Sequence, residues 1–126
     1  MSFQTKLDRI IHKNNSLVCV GLDSDISKLP ENIKQKENPQ FEFNKAIIDA
    51  NHDLICSYKL NSAFYEARGD KGIQELRMTS DYLHENYPDI PIILDAKRAD
   101  IGNTNQGYID FAFGYLGMDA ITLHPY

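Results

Sequence analysis

The sequence predicts an α/β fold built on a parallel sheet, and three observations predict it. Amphipathic stretches and short apolar runs alternate along the whole chain, and the helix–strand order repeats four times. The apolar runs are short and continuous, as strands of a sheet covered on both faces tend to be. Ionisable residues gather just after these runs instead of interrupting them.

Each element has its own signal. Phe3, Leu7, Ile10 and Ile11 share one helical face, and Ser2 stands where an N-cap is needed. Ser16–Leu22, SLVCVGL, reads as a first strand covered on both faces. Asp23–Gln40 is polar and holds Pro30 and Pro39, which predicts a loop with at most one irregular turn. FEFNKAIIDANHD, from Phe41, predicts a helix with Phe43, Ala46, Ile47 and Ala50 as its buried stripe. Asp53–Leu60 is the second strand. A helix over Lys71–Asn86 follows, with Ile73, Leu76 and Leu83 inward. Pro88 and Pro91 bracket a turn before the third strand, Ile92–Asp95, whose crossover helix spans Asn103–Leu116. Met118–His124 is the fourth strand.

Parallel strands joined by helices require right-handed crossovers, and two architectures satisfy that: a doubly wound open sheet and a (β/α)8 barrel. No Gly-x-Gly-x-x-Gly follows the first strand, so a dinucleotide-binding open sheet has no support. A barrel takes about 250 residues. On that reading residues 1–126 are one partial domain, the front half of a longer protein. A complete four-stranded sheet would instead leave its last strand as a bare edge. The expected fold is therefore the N-terminal half of a barrel.

Composition excludes several function classes. The chain is 42% hydrophobic and 25% charged, in the range of ordinary globular proteins. Its net charge is -5 and no basic run exceeds a pair, which argues against a nucleic-acid surface. No run reaches the ~18 apolar residues of a membrane span, and the N-terminus lacks a signal-peptide core. Cys19 and Cys56 form no Cys-x-x-Cys pair and read as buried free thiols in a reducing, cytoplasmic setting.

In parallel α/β proteins, binding and catalytic groups lie at the carboxyl ends of the strands. Here those ends carry Asp23, then Lys59, then Asp95, Lys97 and Asp100, then His124. In LDAKRAD, Leu94 to Asp100, the strand period puts Asp95 and Lys97 on one face and Ala96 on the other. Opposite charges at a barrel mouth are costly unless paired. Asp100 is free to turn back toward Lys97, and Lys59 is a possible fourth member of the chain of charges. No His stands near these carboxylates at ligand spacing, so no metal is expected. The pattern suits proton transfer at carbon.

DAKRADIGNT, Asp95 to Thr104, closely resembles the Asp-x-Lys-x-x-Asp-Ile-Gly signature of the orotidine 5'-phosphate decarboxylases. LVCVGLDSD, YKLNSAFYE and AITLHPY resemble the segments around strands one, two and four, in the manner of the longer bacterial branch. The resemblance implies a TIM barrel that converts orotidine 5'-monophosphate to UMP and CO2 in pyrimidine biosynthesis, without a cofactor. It implies that Lys97 donates the proton to C6 and that Asp95 faces the departing carboxylate. Lys59 would be the second lysine of the array, and Asp100 would complete it from the partner subunit of a homodimer. Asp23 and Asn61 would bind the ribose region, and Ile101 and Thr104 would reach the ligand across the interface. His124 matches less well and is not assigned a role. The family's phosphate-binding loops follow the seventh and eighth strands, so the 126 residues alone are expected to be inactive and poorly folded. Two other readings stand beside this one: a magnesium-dependent sugar-phosphate synthase or aldolase of the same superfamily, and a non-catalytic assembly module.

Overall fold

The structure is a computed structural model that describes residues 1–125; Tyr126, the last residue of the fourth strand's segment, lies outside the described residues. Four parallel strands form one sheet in the order β1-β2-β3-β4: Cys19–Gly21, Ser57–Asn61, Ile92–Asp95 and Ala120–Ile121. Helices α1 (Phe3–Asn14), α2 (Glu31–Lys34), α3 (Pro39–Asn51), α4 (Ser62–Glu66), α5 (Gly69–Asn86) and α6 (Gly102–Ile109) alternate with the strands, and a π-helical turn, Asp110–Tyr115, extends α6. This is the α/β order that the sequence predicts.

The core lies between sheet and helices. Tyr58 and Leu60 of β2 and Ile92 and Leu94 of β3 point to that side and are buried, against Ile48, Leu76 and Leu83 of the helices. The alternate residues, Lys59, Asn61, Ile93 and Asp95, point to the concave face. α1 begins at Ser2, whose hydroxyl accepts the Thr5 N–H, and it ends at Asn15 in the left-handed conformation. Lys6 of α1 reaches Asp119 at 2.9 Å, and that carboxylate also accepts the Ile92 N–H, so the helix is tied to the entrance of β3. At Gly72 a Cβ would stand 1.8 Å from the Tyr65 carbonyl, so only glycine lets α5 pass α4 this closely.

Several expectations need correction. β1 is shorter than Ser16–Leu22 and is not covered on both faces: Leu17 and Val18 are exposed, and so is Cys19. Among the residues of β1 only Val20, opposite Tyr58, turns toward the helices. Cys56 alone is a buried thiol. The Asp23–Gln40 segment is more ordered than a loop, with a 3-10 turn at Ile26–Lys28, the short α2, and the first turn of α3.

The buried stripe of α3 is Gln40, Asn44 and Ile48, with Pro39, instead of Phe43, Ala46, Ile47 and Ala50. Of the expected four, Ile47 packs on the core while Ala46 and Ala50 are exposed. The helix turns its amides inward because partners await them there. Gln40 donates to the Ser24 and Phe64 carbonyls at 2.7 and 3.0 Å. Asn44 donates to the Tyr65 and Thr79 hydroxyls at 2.9 and 3.1 Å. Bonded amide donors avoid most of the burial penalty that favours an apolar stripe, although the buried Asn44 Oδ1 has no partner among the described residues. β4 is regular only over Ala120–Ile121, although Thr122 still donates its N–H to the Leu94 carbonyl at 3.0 Å.

Candidate active site at the strand ends

The register of the sheet builds the site. Gly21 lies opposite Lys59, Asn61 opposite Asp95, and Leu94 opposite Ile121. Continuing each pairing upward sets Asp23, Asn61, Asp95 and Thr122 in one rank across the four strand ends, with Lys59 one layer below. Parallel strands in this register cannot do otherwise, since side chains two residues apart share a face.

Asp95 is the hub. Its Oδ1 accepts from Lys97 Nζ at 2.7 Å and from the Thr122 hydroxyl at 2.8 Å, and its Oδ2 accepts from Lys59 Nζ at 2.9 Å. The hydrogen bond from Lys97 above all, and then that from Lys59, holds the Asp95 carboxyl far below the usual carboxylate range, against a desolvation that works the other way. Burial by itself would lower the pKa of Lys59. The bond to Asp95 and the charges of Asp23 and Asp95 outweigh it and raise that ammonium above its ordinary value. Asp23 lies 3.8 Å from Lys59 and accepts the Asn61 N–H at 3.1 Å. Asn61 caps α4 by accepting the Ala63 N–H at 3.2 Å.

Lys97 differs from its neighbours. Its side chain is 62% exposed whereas that of Asp95 is 12% exposed, so its ammonium is bonded on one side and open on the other. Its backbone has φ 51°, a left-handed conformation that costs a residue with a Cβ roughly 1–2 kcal/mol. Such cost at a polar site is a common companion of function. Arg98 turns away: it donates to the Ala96 carbonyl at 2.9 Å and pairs with Glu66.

Asp100 is not brought to Lys97; among the described residues no ion pair joins them. It sits on the exposed lead into α6, where its carboxylate accepts the Ile101 N–H at 2.7 Å and its carbonyl accepts from the Asn105 amide at 2.6 Å. A five-residue connection is long enough to turn back, but the bonds to Asn105 hold it as an outward turn. Ile101 and Thr104 stand beside it and are exposed, Ile101 at 70%. The sequence-predicted set thus divides in two. Asp23, Lys59, Asn61, Asp95 and Lys97 converge, while Asp100, Ile101 and Thr104 form an outward-facing edge. Among the described residues no three His, Cys, Asp or Glu side chains converge as a cation site.

Known proteins share this sequence and fold. Residues 16–126 match the family model for "Orotidine 5'-phosphate decarboxylase / HUMPS family". The chain belongs to this family. Two curated orotidine 5'-phosphate decarboxylases, from Flavobacterium johnsoniae and Parabacteroides distasonis, are each 52% identical to it, over 100% and 92% of this chain and 46% and 41% of their own lengths. The solved OMP decarboxylase of Leishmania donovani superposes with a TM-score of 0.81 at 32% identity, over 100% of this chain and 45% of that one. The orotidine 5'-monophosphate decarboxylase of Plasmodium berghei does so with 0.82 at 29% identity, over 96% and 52%. The chain therefore spans about half the length of the relatives it matches, and its fold is the N-terminal half of the family's TIM barrel.

Within the family frame, one rim residue escaped the sequence reading. Thr122 contacts both Asp95 and Lys97. Its signal was its position: AITL places a lone hydroxyl two residues after Ala120, on the concave face.

Proposed function

We propose that the protein containing this chain decarboxylates orotidine 5'-monophosphate to UMP and CO2, with Lys97 as the proton donor. The observation that carries this reading is the bonded series Lys59–Asp95–Lys97, which ends on an ammonium open to the concave rim. The curated relatives' shared name supports the same substrate, and the family's description spans a second group without favouring it for this chain.

Loss of CO2 from the pyrimidine ring leaves an electron pair on C6 with no adjacent sink. An ammonium fixed beside that carbon stabilises the charge as it forms and then transfers its proton, leaving a C6–H bond and a neutral amine. Asp95 fixes the direction of that ammonium and sets a negative charge beside the departing carboxylate. Lys59 balances Asp95 from below. Asp23 and Asn61 bind the ribose region. The edge formed by Asp100, Ile101 and Thr104 reaches into the site of a second subunit, where Asp100 completes the charge array. The phosphate is held by the other half of the barrel, and the reaction takes place in the cytoplasm without a metal.

The test is to purify the whole protein and follow loss of the orotate absorbance at 25 °C, with and without EDTA. Metal-independent turnover is expected, and an inactive whole protein overturns the reading. Mixing a Lys97→Ala chain with an Asp100→Ala chain should restore activity, because one hybrid site in the mixed dimer carries both native groups. No recovery removes the shared-site part.

A further inference from the structure

We propose that Thr122 is a positioning residue for Lys97: its hydroxyl bonds the Asp95 carboxylate and the Lys97 backbone at once, and so holds the lysine in the left-handed turn that points its ammonium at Asp95. Its consequence for turnover rests on the decarboxylase reading above; the clamp itself does not.

Lys97 and Asn15 are the two non-glycine residues with positive φ among the described residues. Asn15 ends a helix, where that conformation is common for asparagine. Lys97 has no such excuse, being a Cβ-bearing residue in the segment directly after β3. What opposes its return to an extended conformation is residue 122. The Lys97 N–H donates to Thr122 Oγ1 at 3.1 Å, and the next amide, Arg98 N–H, donates to the Thr122 carbonyl at 3.1 Å. Two consecutive amides of the turn are thus fastened to one residue of the neighbouring strand.

The hydroxyl's own hydrogen goes to Asp95 Oδ1 at 2.8 Å, the same oxygen that accepts from Lys97 Nζ at 2.7 Å. A hydroxyl has one hydrogen and two lone pairs, so a single threonine can serve both bonds without conflict. Lys97 is consequently held at two points, its backbone N–H and its ammonium, by one Thr122–Asp95 unit. Valine has the same shape as threonine and can make neither bond.

In the whole protein, Thr122→Val is expected to lower kcat by about 10²-fold, the scale of a ~1 Å misplacement of a reacting group, with KM and UMP affinity unchanged. Thr122→Ser is expected to restore kcat to near the wild-type value. Independently of turnover, amide hydrogen exchange at Lys97 should quicken in Thr122→Val and not in Thr122→Ser, while strand amides of β2 stay protected. Wild-type kcat in Thr122→Val, or a Thr122→Ser variant as impaired as Thr122→Val, overturns the proposal. So does an unchanged Lys97 exchange rate. Should Thr122→Val fail to fold, Thr122→Cys, a weak donor of similar size, replaces it with an intermediate kcat expected; wild-type kcat there overturns the proposal equally. If the wild-type protein itself does not turn over orotidine 5'-monophosphate, the decarboxylase reading fails and the exchange measurement still decides the clamp.

Discussion

Two clusters of charge flank the same sheet, one at its rim and one among the helices behind it. At the rim, Asp95 meets Lys59 and Lys97. Behind the sheet, Glu75 of α5 pairs with Arg68 and also accepts the Phe41 N–H at 2.9 Å, while Arg68 donates to Gln40 at 2.7 Å. The Glu75 side chain is 2% exposed, and that of Arg68 is 20% exposed, against 62% for Lys97. Both charges of the rear cluster are paired within their own protein. Its bonds hold the segment after β1 in place, with Gln40 on the Ser24 carbonyl at 2.7 Å and Tyr65 on the Leu22 carbonyl at 2.5 Å. Burial pushes the Tyr65 phenol up to about 12, so it stays a donor at any ordinary pH. The rim cluster keeps one cation on the solvent side. Pairing alone therefore does not separate a structural ion pair from a chemical one; an unspent, accessible face does.

That contrast can be broken or sharpened by substitution. The largest effect is expected at the rim and on activity: in the whole protein, Lys97→Ala should lower kcat by about 10²–10⁴, the range of general acid catalysis, with UMP affinity unchanged and urea stability lowered by no more than about 1 kcal/mol, since the ammonium is largely exposed. A variant keeping more than about a tenth of wild-type turnover would remove Lys97 from the donor role. Behind the sheet the loss should appear in stability. Glu75→Ala leaves Arg68 uncompensated in a mostly buried site and should cost about 3–5 kcal/mol in urea denaturation. A joint Arg68→Met, Glu75→Leu replacement should recover most of that, because neither charge is then stranded. If Glu75→Ala proves harmless, the rear cluster is not a buried pair in the sense argued.

Gly72→Ala belongs to the same rear region and should cost about 1–3 kcal/mol, since its new methyl meets the Tyr65 carbonyl and α5 must shift from α4. Equal melting temperatures would contradict that contact. The pH dependence of stability then sharpens the rim. The folded-state pKa of Asp95 lies below its unfolded value of about 3.9, so its contribution is present above that pH and is lost as pH falls through the folded value. Lys59 has the opposite sign: its folded pKa is raised, so its contribution is complete below about 10.4 and is lost as pH rises through the folded value. Asp95→Asn should flatten the acid limb of stability measured below pH ~5, and parallel limbs would deny the ion pair that role. The smallest effect belongs to the fully hydrated pair Lys13–Asp89, at 3.1 Å with both side chains more than 60% exposed, where Lys13→Ala should change stability by under about 0.5 kcal/mol.

The rim was legible in the sequence and the rear cluster was not, for one physical reason. A strand's abrupt end marks which residues stand near the rim, so Asp23, Lys59, Asp95 and Lys97 could be selected from linear order, while Asn61 came from the resemblance alone. Ile92–Asp95 was placed at its observed bounds on the same basis. The face a helix buries is inferred from apolar spacing, and α3 defeats that inference because Gln40 and Asn44 find partners on α4, α5 and the β1 loop. Cys19 was misjudged similarly: an apolar run signals a strand, but which of its side chains the helices cover is not written in that run. Asp100 was selected by the same strand-end reading and Ile101 and Thr104 by their resemblance to a motif, and the bonds of Asp100 with Asn105 of α6 decide that this segment faces outward.

What the sequence determined by itself is the α/β alternation, the membership signalled by DAKRADIGNT, and the identity of the charges at the strand ends, because each depends on spacing within one segment. Only the tertiary structure decided the rank Asp23–Asn61–Asp95–Thr122, the left-handed turn at Lys97 and the polar interior behind the sheet. These depend on register between strands that are far apart in the chain, and hydrogen bonds formed across that distance leave no periodic trace in the order of residues.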